Sequence, residues 1–187
     1  LHKKEDENIL LKIISLIFLL SFAIAGDVRR YRISNICTAA GLILGLAING
    51  VMDGIPGLLE SMLAAVIPFA ALIILFALRI IGAGDIKLFC AAGAIMGVRF
   101  IIYVIPFSFL AGGIIALGVM LVRGNASKRL RHITAYVKAV CLSHTAIPYT
   151  DLSDKTDGSK FHFSPAIAAG CFIYLLILIS GSGFQSF

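Results

Sequence analysis

Apolar residues run along most of the chain in five long stretches, and short polar segments separate them. The stretches cover 9–25, 36–52, 58–78, 86–122 and 165–180. A helix that crosses about 30 Å of hydrocarbon needs roughly 20 such residues. The stretch at 86–122 is too long for one crossing, and Arg99 with Gly97 beside it divides it into spans at 83–98 and 101–122. The pattern therefore predicts six transmembrane helices.

The composition agrees with a membrane protein built from helices. Of the 187 residues, 59% are hydrophobic and 14% are charged, and the mean hydropathy is +1.00. This is far more apolar surface than a soluble core could bury. We predict an all-α fold, a polytopic bundle that forms a single integral membrane domain over 1–187.

The basic residues predict the orientation of the chain, because Lys and Arg are retained on the cytoplasmic side of a membrane. If the N-terminus lies outside, four of the 16 basic residues also lie outside: Lys3, Lys4, Lys12 and Arg99. The others lie inside. The net charge of +6 is then first a signal of topology and second a source of attraction to anionic headgroups. Nothing in the sequence suggests nucleic acid as a partner.

An alternative interpretation of the N-terminus is a cleavable signal peptide. Lys3 and Lys4 precede an apolar run that ends in the small-residue triplet at 23–25. Cleavage after this triplet would place the basic segment at 29–32 on the outer side, against the charge rule. We therefore favour a first transmembrane helix.

A polar insert at 123–163 is expected on the cytoplasmic side. Apolar positions within 127–144 recur at helical spacing and basic residues lie between them, which is typical of an amphipathic helix on the inner leaflet. The following segment at 150–160 is rich in turn-forming and polar residues, and we predict a loop there.

Neither a metal site nor a disulfide framework is indicated. The cysteines are widely spaced and form no C-x-x-C pair; they are Cys37, Cys90, Cys141 and Cys171. The histidines near the insert also lack a ligand spacing. We expect no metal and no cofactor.

Two aspartates are the candidate catalytic residues. Asp27 ends the first predicted span, and Asp85 closes the tetrad Gly82-Ala83-Gly84-Asp85 before the fourth. Ionisable groups at the edge of the hydrocarbon are costly and usually have a function. Two crossings separate the aspartates, so both belong at the cytoplasmic boundary.

The tetrad predicts how Asp85 is presented. Gly82 and Gly84 allow a kink before the span, and Asp85 then lies in the first helical turn, where the helix dipole favours a carboxylate. If Asp27 comes close, the two carboxyl groups cannot both be ionised cheaply, so they share a proton. In such a pair, the ionised carboxylate can take a proton from water as the water attacks a peptide carbonyl. The protonated carboxyl group can then supply a proton to the developing oxyanion or the leaving amine.

A purely structural interpretation is also open for each aspartate. Asp27 would pair with Arg29 or Arg30 at the membrane surface, and Asp85 would cap its own helix and pair with Lys87. The occurrence of both aspartates on one face, one of them in a G-x-G-D tetrad, favours catalysis.

Three segments resemble motifs of the type IV prepilin peptidases. The stretch at 26–35, Gly-Asp-Val-Arg-Arg-Tyr-Arg-Ile-Ser-Asn, is similar to the first motif, an Asp followed by basic residues and Ile-Pro-Asn. The stretch at 82–88, Gly-Ala-Gly-Asp-Ile-Lys-Leu, matches the second, and 161–170 is similar to the entry into the last span. The resemblance implies a six-helix aspartic endopeptidase that removes a short basic leader from prepilins at the cytoplasmic face.

The resemblance also assigns site residues and partners. Asp27 and Asp85 correspond to the catalytic aspartates, and four supporting residues lie in the matched motifs: Asn35, Gly82, Gly84 and Lys87. The expected partners are prepilin-like or preflagellin-like precursors and the lipid bilayer. We interpret the basic residues of the first motif, Arg29, Arg30 and Arg32, as contacts to lipid headgroups or to an acidic substrate residue. The sequence does not indicate an oligomeric state.

The chain departs from the larger members of that family. Ser34 stands where they usually have Pro, which is expected to loosen the turn before the second span. The cysteine-bearing cytoplasmic domain between the first two spans is missing, so methyltransferase activity is not expected. The chain resembles the short forms found with Tad-type pili or archaeal preflagellin systems.

Two other classes of function remain open at this point. Presenilin-like and signal-peptide-peptidase-like proteases share the GxGD tetrad, but their first aspartate typically follows Tyr within a helix, whereas Asp27 follows Gly26. A small proton-coupled transporter would also carry membrane carboxylates, although nearer the middle of the bilayer.

Overall fold

The computed structural model describes residues 2–30, 33–78, 80–122 and 163–180, and the regular structure in these ranges is helical. The helices are α1 (His2–Arg30), α2 (Asn35–Ala77), α3 (Ala83–Met96), α4 (Val98–Val122) and α5 (Ser164–Ser180). Three contain segments long and apolar enough to cross a membrane, at Glu7–Arg29, Asn35–Ala77 and Val98–Val119, and the shorter Ser164–Ser180 is also apolar. The all-helical fold predicted from the sequence is confirmed, and three of the described helices have the length and composition of membrane spans.

The number of helices in the structure differs from the number predicted, and the difference arises in α2. Its 43 residues would extend about 65 Å if straight, twice the thickness of the hydrocarbon. Gly54 interrupts it with a φ of +66° and a ψ of −145°, a conformation that needs glycine. The spans predicted at 36–52 and 58–78 are thus the two halves of one interrupted helix. The described residues contain five helices where six were predicted.

The first half of α2 runs parallel to α3. Near its start, Asn35 contacts Lys87. Further along, a Cβ on Gly45 would lie 2.5 Å from the carbonyl carbon of Ala94, so the two backbones nearly touch. Both contact positions advance together along the chain, which means that the two helices point the same way.

The second half of α2 runs in the opposite direction along α3. Glu60 lies beside Gly97 at the end of α3, whereas Ala64 lies against Gly93, closer to its start. One contact position advances while the other retreats, so this half is antiparallel to α3. The chain therefore reverses at Gly54, and both halves of α2 pack against α3.

The last carbonyl groups of α3 are capped by side chains from both halves of α2. The Asn49 Nδ2 donates to the carbonyl oxygens of Ala94 at 2.8 Å and Ile95 at 3.3 Å, and the Ser61 Oγ donates to Ala94 at 2.6 Å. The carbonyls of a final helical turn have no partner within their own helix. Asn49 and Ser61 are both buried, so the caps satisfy groups that water cannot reach.

Helix α3 ends where the sequence predicted a break. Gly97 has a φ of +94°, which favours glycine, and α4 starts at the next residue. Helix α4 then packs on α5 through aromatic rings: Tyr174 lies 5.5 Å from Phe100 and 5.2 Å from Tyr103 between ring centroids. The insert predicted at 123–163 lies outside the described residues, apart from Phe163.

Candidate active site

Asp27 lies on the buried face of α1. That face carries Leu16, Leu20 and Ala23 at spacings of three and four residues, and Asp27 continues the same series. The side chain is 9% exposed, and in the part of the chain that the structure describes its Oδ2 has no hydrogen-bond partner. A buried carboxylate oxygen without a partner costs about 1–3 kcal/mol or more, so this atom has a strong need for a proton, a water molecule or a ligand.

Asp85 lies in the first turn of α3, as the tetrad predicted. Gly82 is the residue before the helix, and its backbone N–H donates a hydrogen bond to the Asp85 carboxyl group. This contact is one half of a capping box, in which the third helical residue reaches back to the capping position. The structural interpretation of Asp85 as a helix cap is therefore partly correct. The residue is half-buried.

The glycines of the tetrad do not form the kink that the sequence predicts; they make room for neighbouring groups instead. Gly82 has a φ of −76° and a ψ of 148°, which any residue can adopt, so no glycine-dependent kink precedes the helix. A Cβ there would lie 3.1 Å from the Asp85 Oδ2, and a Cβ on Gly84 would lie 3.3 Å from the Ile33 Cβ. The glycines provide room: one for the folded-back carboxyl group, and the other for the chain that leads into α2.

Helix α1 packs against α3, and the two carboxyl groups lie within range of a direct electrostatic interaction. The negative charge of Asp27 acts on Asp85, and this interaction links two residues that are far apart in the sequence. Asp27 is near the C-terminal end of α1 and Asp85 near the N-terminal end of α3, so the pair lies at one end of the bundle. Neither aspartate is near the middle of its helix, which argues against the transporter alternative.

Lys87 does not act as the predicted partner of Asp85. Its Nζ donates a 2.9 Å hydrogen bond to the Asn35 Oδ1, across the starts of α2 and α3. Both side chains are exposed. The two supporting residues thus contact each other and tie the chain after Asp27 to the helix that carries Asp85.

The three arginines of the first motif are described only in part. Arg29 is exposed in the last turn of α1, where it can reach lipid headgroups or a ligand. Arg30 ends the helix, and Arg32 lies outside the described residues.

The third motif contacts the helix of Asp85. The Phe163 ring lies 6.4 Å from Phe89, one turn beyond Asp85, and 5.6 Å from Phe109 of α4. Pro165 occupies the first turn of α5, where its missing N–H costs nothing. This contact between distant motifs was not predictable from either segment alone.

Comparison with known proteins supports the same interpretation. Residues 13–117 match the model of the type IV leader peptidase family, and the matched segment includes both aspartates and the Lys87–Asn35 contact. No curated protein and no solved structure matches the chain. The matched segment covers more than half of the chain and contains all of α2 and α3. The chain therefore belongs to the type IV leader peptidase family, whose members are proteases.

Proposed function

We propose that this protein is an aspartic endopeptidase that removes the short basic leader from prepilin-like or preflagellin-like precursors at the cytoplasmic face of the membrane. Asp27 and Asp85 are its catalytic pair. One observation carries the proposal: among the described residues the buried Asp27 Oδ2 has no hydrogen-bond partner, while its carboxyl group interacts with that of Asp85. Membership in a leader peptidase family supplies the reaction class.

The pair would hydrolyse a peptide bond without a covalent intermediate. One carboxylate takes a proton from water as the water oxygen attacks the scissile carbonyl carbon. The protonated partner donates its proton to the carbonyl oxygen, which gives a neutral tetrahedral intermediate. That intermediate collapses as the carbon–nitrogen bond breaks: the leaving amine takes a proton from the first carboxyl group, and a hydroxyl of the intermediate returns a proton to the second carboxylate, which restores the starting state of the pair. One shared proton between the two groups starts this cycle.

The proposed topology places both aspartates on the cytoplasmic side. The two antiparallel halves of α2 each cross the membrane, so the chain makes six crossings and its N-terminus lies outside. Arg29, Arg30 and Arg32 then meet the inner surface, where we assign them to anionic headgroups. A precursor that is itself an apolar helix with a basic leader is aligned by the same bilayer, which reduces the orientational cost of binding.

The direct test is cleavage of a co-expressed pilin-like precursor in membranes. We expect a loss of mass equal to the leader, and N-terminal sequencing is expected to find one new terminus in the product. Membranes with an inserted protein that leave every pilin-like precursor intact would contradict the proposed substrate. A cut within the apolar helix, rather than beside the basic leader, would favour the presenilin-like alternative.

Lys87 is proposed as a positioning residue for the catalytic pair. Lys87→Met removes the donor to Asn35 and is expected to lower the cleavage rate about threefold to tenfold, since one hydrogen bond contributes about 0.5–1.5 kcal/mol. The rate is measured with purified protein in liposomes. Lys87→Arg retains a donor and should keep most of the activity.

A double-mutant cycle separates this contact from a general effect of charge. Asn35→Ala and Lys87→Met should each slow cleavage, and the double variant should be no slower than the worse single variant. Full additivity of the two effects would show that the hydrogen bond does not position the site.

A further inference from the structure

Ser164, the first residue of α5, carries a buried hydroxyl group that has no hydrogen-bond partner among the described residues. Its side chain is 0% exposed. Buried hydroxyl groups in native proteins are nearly always hydrogen-bonded, because water cannot replace a missing partner there. Within the described ranges, one other buried side-chain oxygen or nitrogen is in the same state, and it is the Asp27 Oδ2.

The hydroxyl of Ser164 is not used by its own helix. A serine at the start of a helix ordinarily accepts a hydrogen bond from a backbone N–H of the first turn. Here the N–H groups of Ala166 and Ile167 donate to the Phe163 carbonyl oxygen, at 3.0 and 3.1 Å. Pro165 has no N–H to donate. The hydroxyl is therefore available to a group outside α5.

Ser164 and Asp27 each lie at one end of a row of core-facing residues. Both rows follow the helical spacing of three and four residues. Their apolar members belong to the same hydrophobic core, so the two polar residues face the same interior. The rows consist of Leu16, Leu20, Ala23 and Asp27 in α1, and of Ser164, Ile167, Cys171 and Tyr174 in α5.

The directions of α1 and α5 place these two row ends together. Ile13 from the first half of α1 and Leu178 from the end of α5 line one apolar groove, so the helices are antiparallel. Ile13 precedes Asp27 by 14 residues, and Leu178 follows Ser164 by 14. Both distances are about 21 Å at 1.5 Å per residue. Asp27 and Ser164 therefore lie at the same end of the bundle and at a similar depth.

A separate contact brings the start of α5 to the helix of Asp85. Phe163, the chain neighbour of Ser164, has its ring 6.4 Å from that of Phe89. Phe89 follows Asp85 by one helical turn. The Ser164 hydroxyl is thus located from two sides, by α1 and by α3, at the end of the core that carries the two aspartates.

We propose that Ser164 is a third polar group of the active site, and that it positions the attacking water beside Asp27. The proposal rests on the peptidase function proposed above. The water donates one hydrogen bond to the Asp27 Oδ2 and the other to the Ser164 Oγ, which leaves its lone pair for the scissile carbonyl carbon. As the water attacks, one proton passes to Asp27. Ser164 keeps its own proton and forms no covalent bond.

A water molecule suits the two atoms chemically. A carboxylate oxygen and a hydroxyl oxygen both accept hydrogen bonds, and one water has two protons to donate. Buried waters typically bind polar groups that otherwise have no partner. A direct hydrogen bond between Ser164 and Asp27 would satisfy both atoms, but the structure contains none. One group held between them satisfies both.

Ser164→Ala is expected to lower kcat about tenfold and to leave KM unchanged, because one hydrogen bond to the reacting water is lost and precursor binding is not affected. Rates are measured with the purified full chain in liposomes and a pilin-like precursor. The melting temperature should be unchanged or higher, since alanine removes a buried hydroxyl that has no partner in the described ranges. A purely structural role predicts the reverse: a lower melting temperature with an unchanged kcat in the folded variant.

Three further variants separate the hydroxyl from the volume of the side chain. Ser164→Thr and Ser164→Val add the same bulk, but only threonine retains a hydroxyl, so its kcat should be about tenfold higher. Equal kcat values for these two would overturn the inference. The matched control is Ser108→Ala in α4. Ser108 is also fully buried, but its Oγ already donates to the Val104 carbonyl oxygen at 2.7 Å, so kcat should not change.

A binding measurement tests the same contact without turnover. The probe is a peptide that spans the leader junction and carries a hydroxyethylene group in place of the scissile bond. Its hydroxyl takes the place of the attacking water, so Ser164→Ala should weaken binding about tenfold, whereas Ser108→Ala should not. Unchanged affinity or unchanged kcat in a folded Ser164→Ala variant would overturn this inference alone. A wild-type protein that neither cleaves the precursor nor binds the peptide would overturn the proposed peptidase function as well.

Discussion

Asp27→Asn and Asp85→Asn are each expected to lower the rate of leader cleavage by about 10²- to 10⁴-fold, which is the range that one acid or base contributes to catalysis. Asparagine preserves the shape of the side chain but cannot exchange a proton with water. Each substitution therefore breaks the proton cycle of the pair without creating a cavity. Rates are measured with a pilin-like precursor and purified protein in liposomes, and products are identified by N-terminal sequencing.

The two variants should differ in stability although both are inactive. In Asp27→Asn a neutral amide replaces a buried carboxyl group whose Oδ2 has no hydrogen-bond partner in the described ranges, so the free energy of unfolding should be unchanged or higher. Asp85→Asn weakens the contact with the Gly82 N–H and should be slightly destabilising. Glu7→Gln serves as the matched control, since Glu7 lies exposed near the other end of α1. Near-normal cleavage by a folded Asp27→Asn or Asp85→Asn variant would reject the catalytic pair.

The positions of the helices follow from the sequence because the bilayer imposes simple rules. An apolar run long enough to span hydrocarbon must be helical, since no water is present to satisfy its backbone. The first span at 9–25 lies within α1, and the break beside Arg99 coincides with the α3–α4 boundary at Gly97. The boundaries differ where polar residues continue a helix beyond the hydrocarbon, as α1 does to Arg30.

The contacts between helices could not be predicted, because they depend on which faces meet. Nothing in the local sequence shows that Asn49 caps the end of α3, or that Lys87 contacts Asn35 rather than Asp85. One signal was available for Asn49: a polar side chain inside an apolar span usually bonds to another helix. The same limit applies to Gly84, because its close neighbour Ile33 lies in a different segment of the chain.

The second large effect is expected from substitution of the glycines at which α2 and α3 pack closely. A Cβ on Gly45 would lie 2.5 Å from the carbonyl carbon of Ala94, and a Cβ on Gly93 would overlap the carbonyl oxygen of Ala64. Both neighbours are backbone atoms, which cannot rotate away as a side chain does. Gly45→Ala or Gly93→Ala must therefore push the two helices apart, at a cost of about 1–3 kcal/mol or more.

Separation of α2 from α3 should also reduce catalysis, because α3 carries Asp85 and α2 begins at Asn35, which contacts Lys87. We expect a lower melting temperature in detergent and a cleavage rate that falls even at temperatures where the variant remains folded. The matched control is Gly113→Ala in α4, where a Cβ would have no neighbour within 4 Å. That substitution should be neutral or stabilising, since alanine favours a helix over glycine by about 1 kcal/mol. If Gly93→Ala proved as stable and active as Gly113→Ala, the backbone contact between α2 and α3 would not hold Asp85 in place, and the site would have to be positioned from α1 alone.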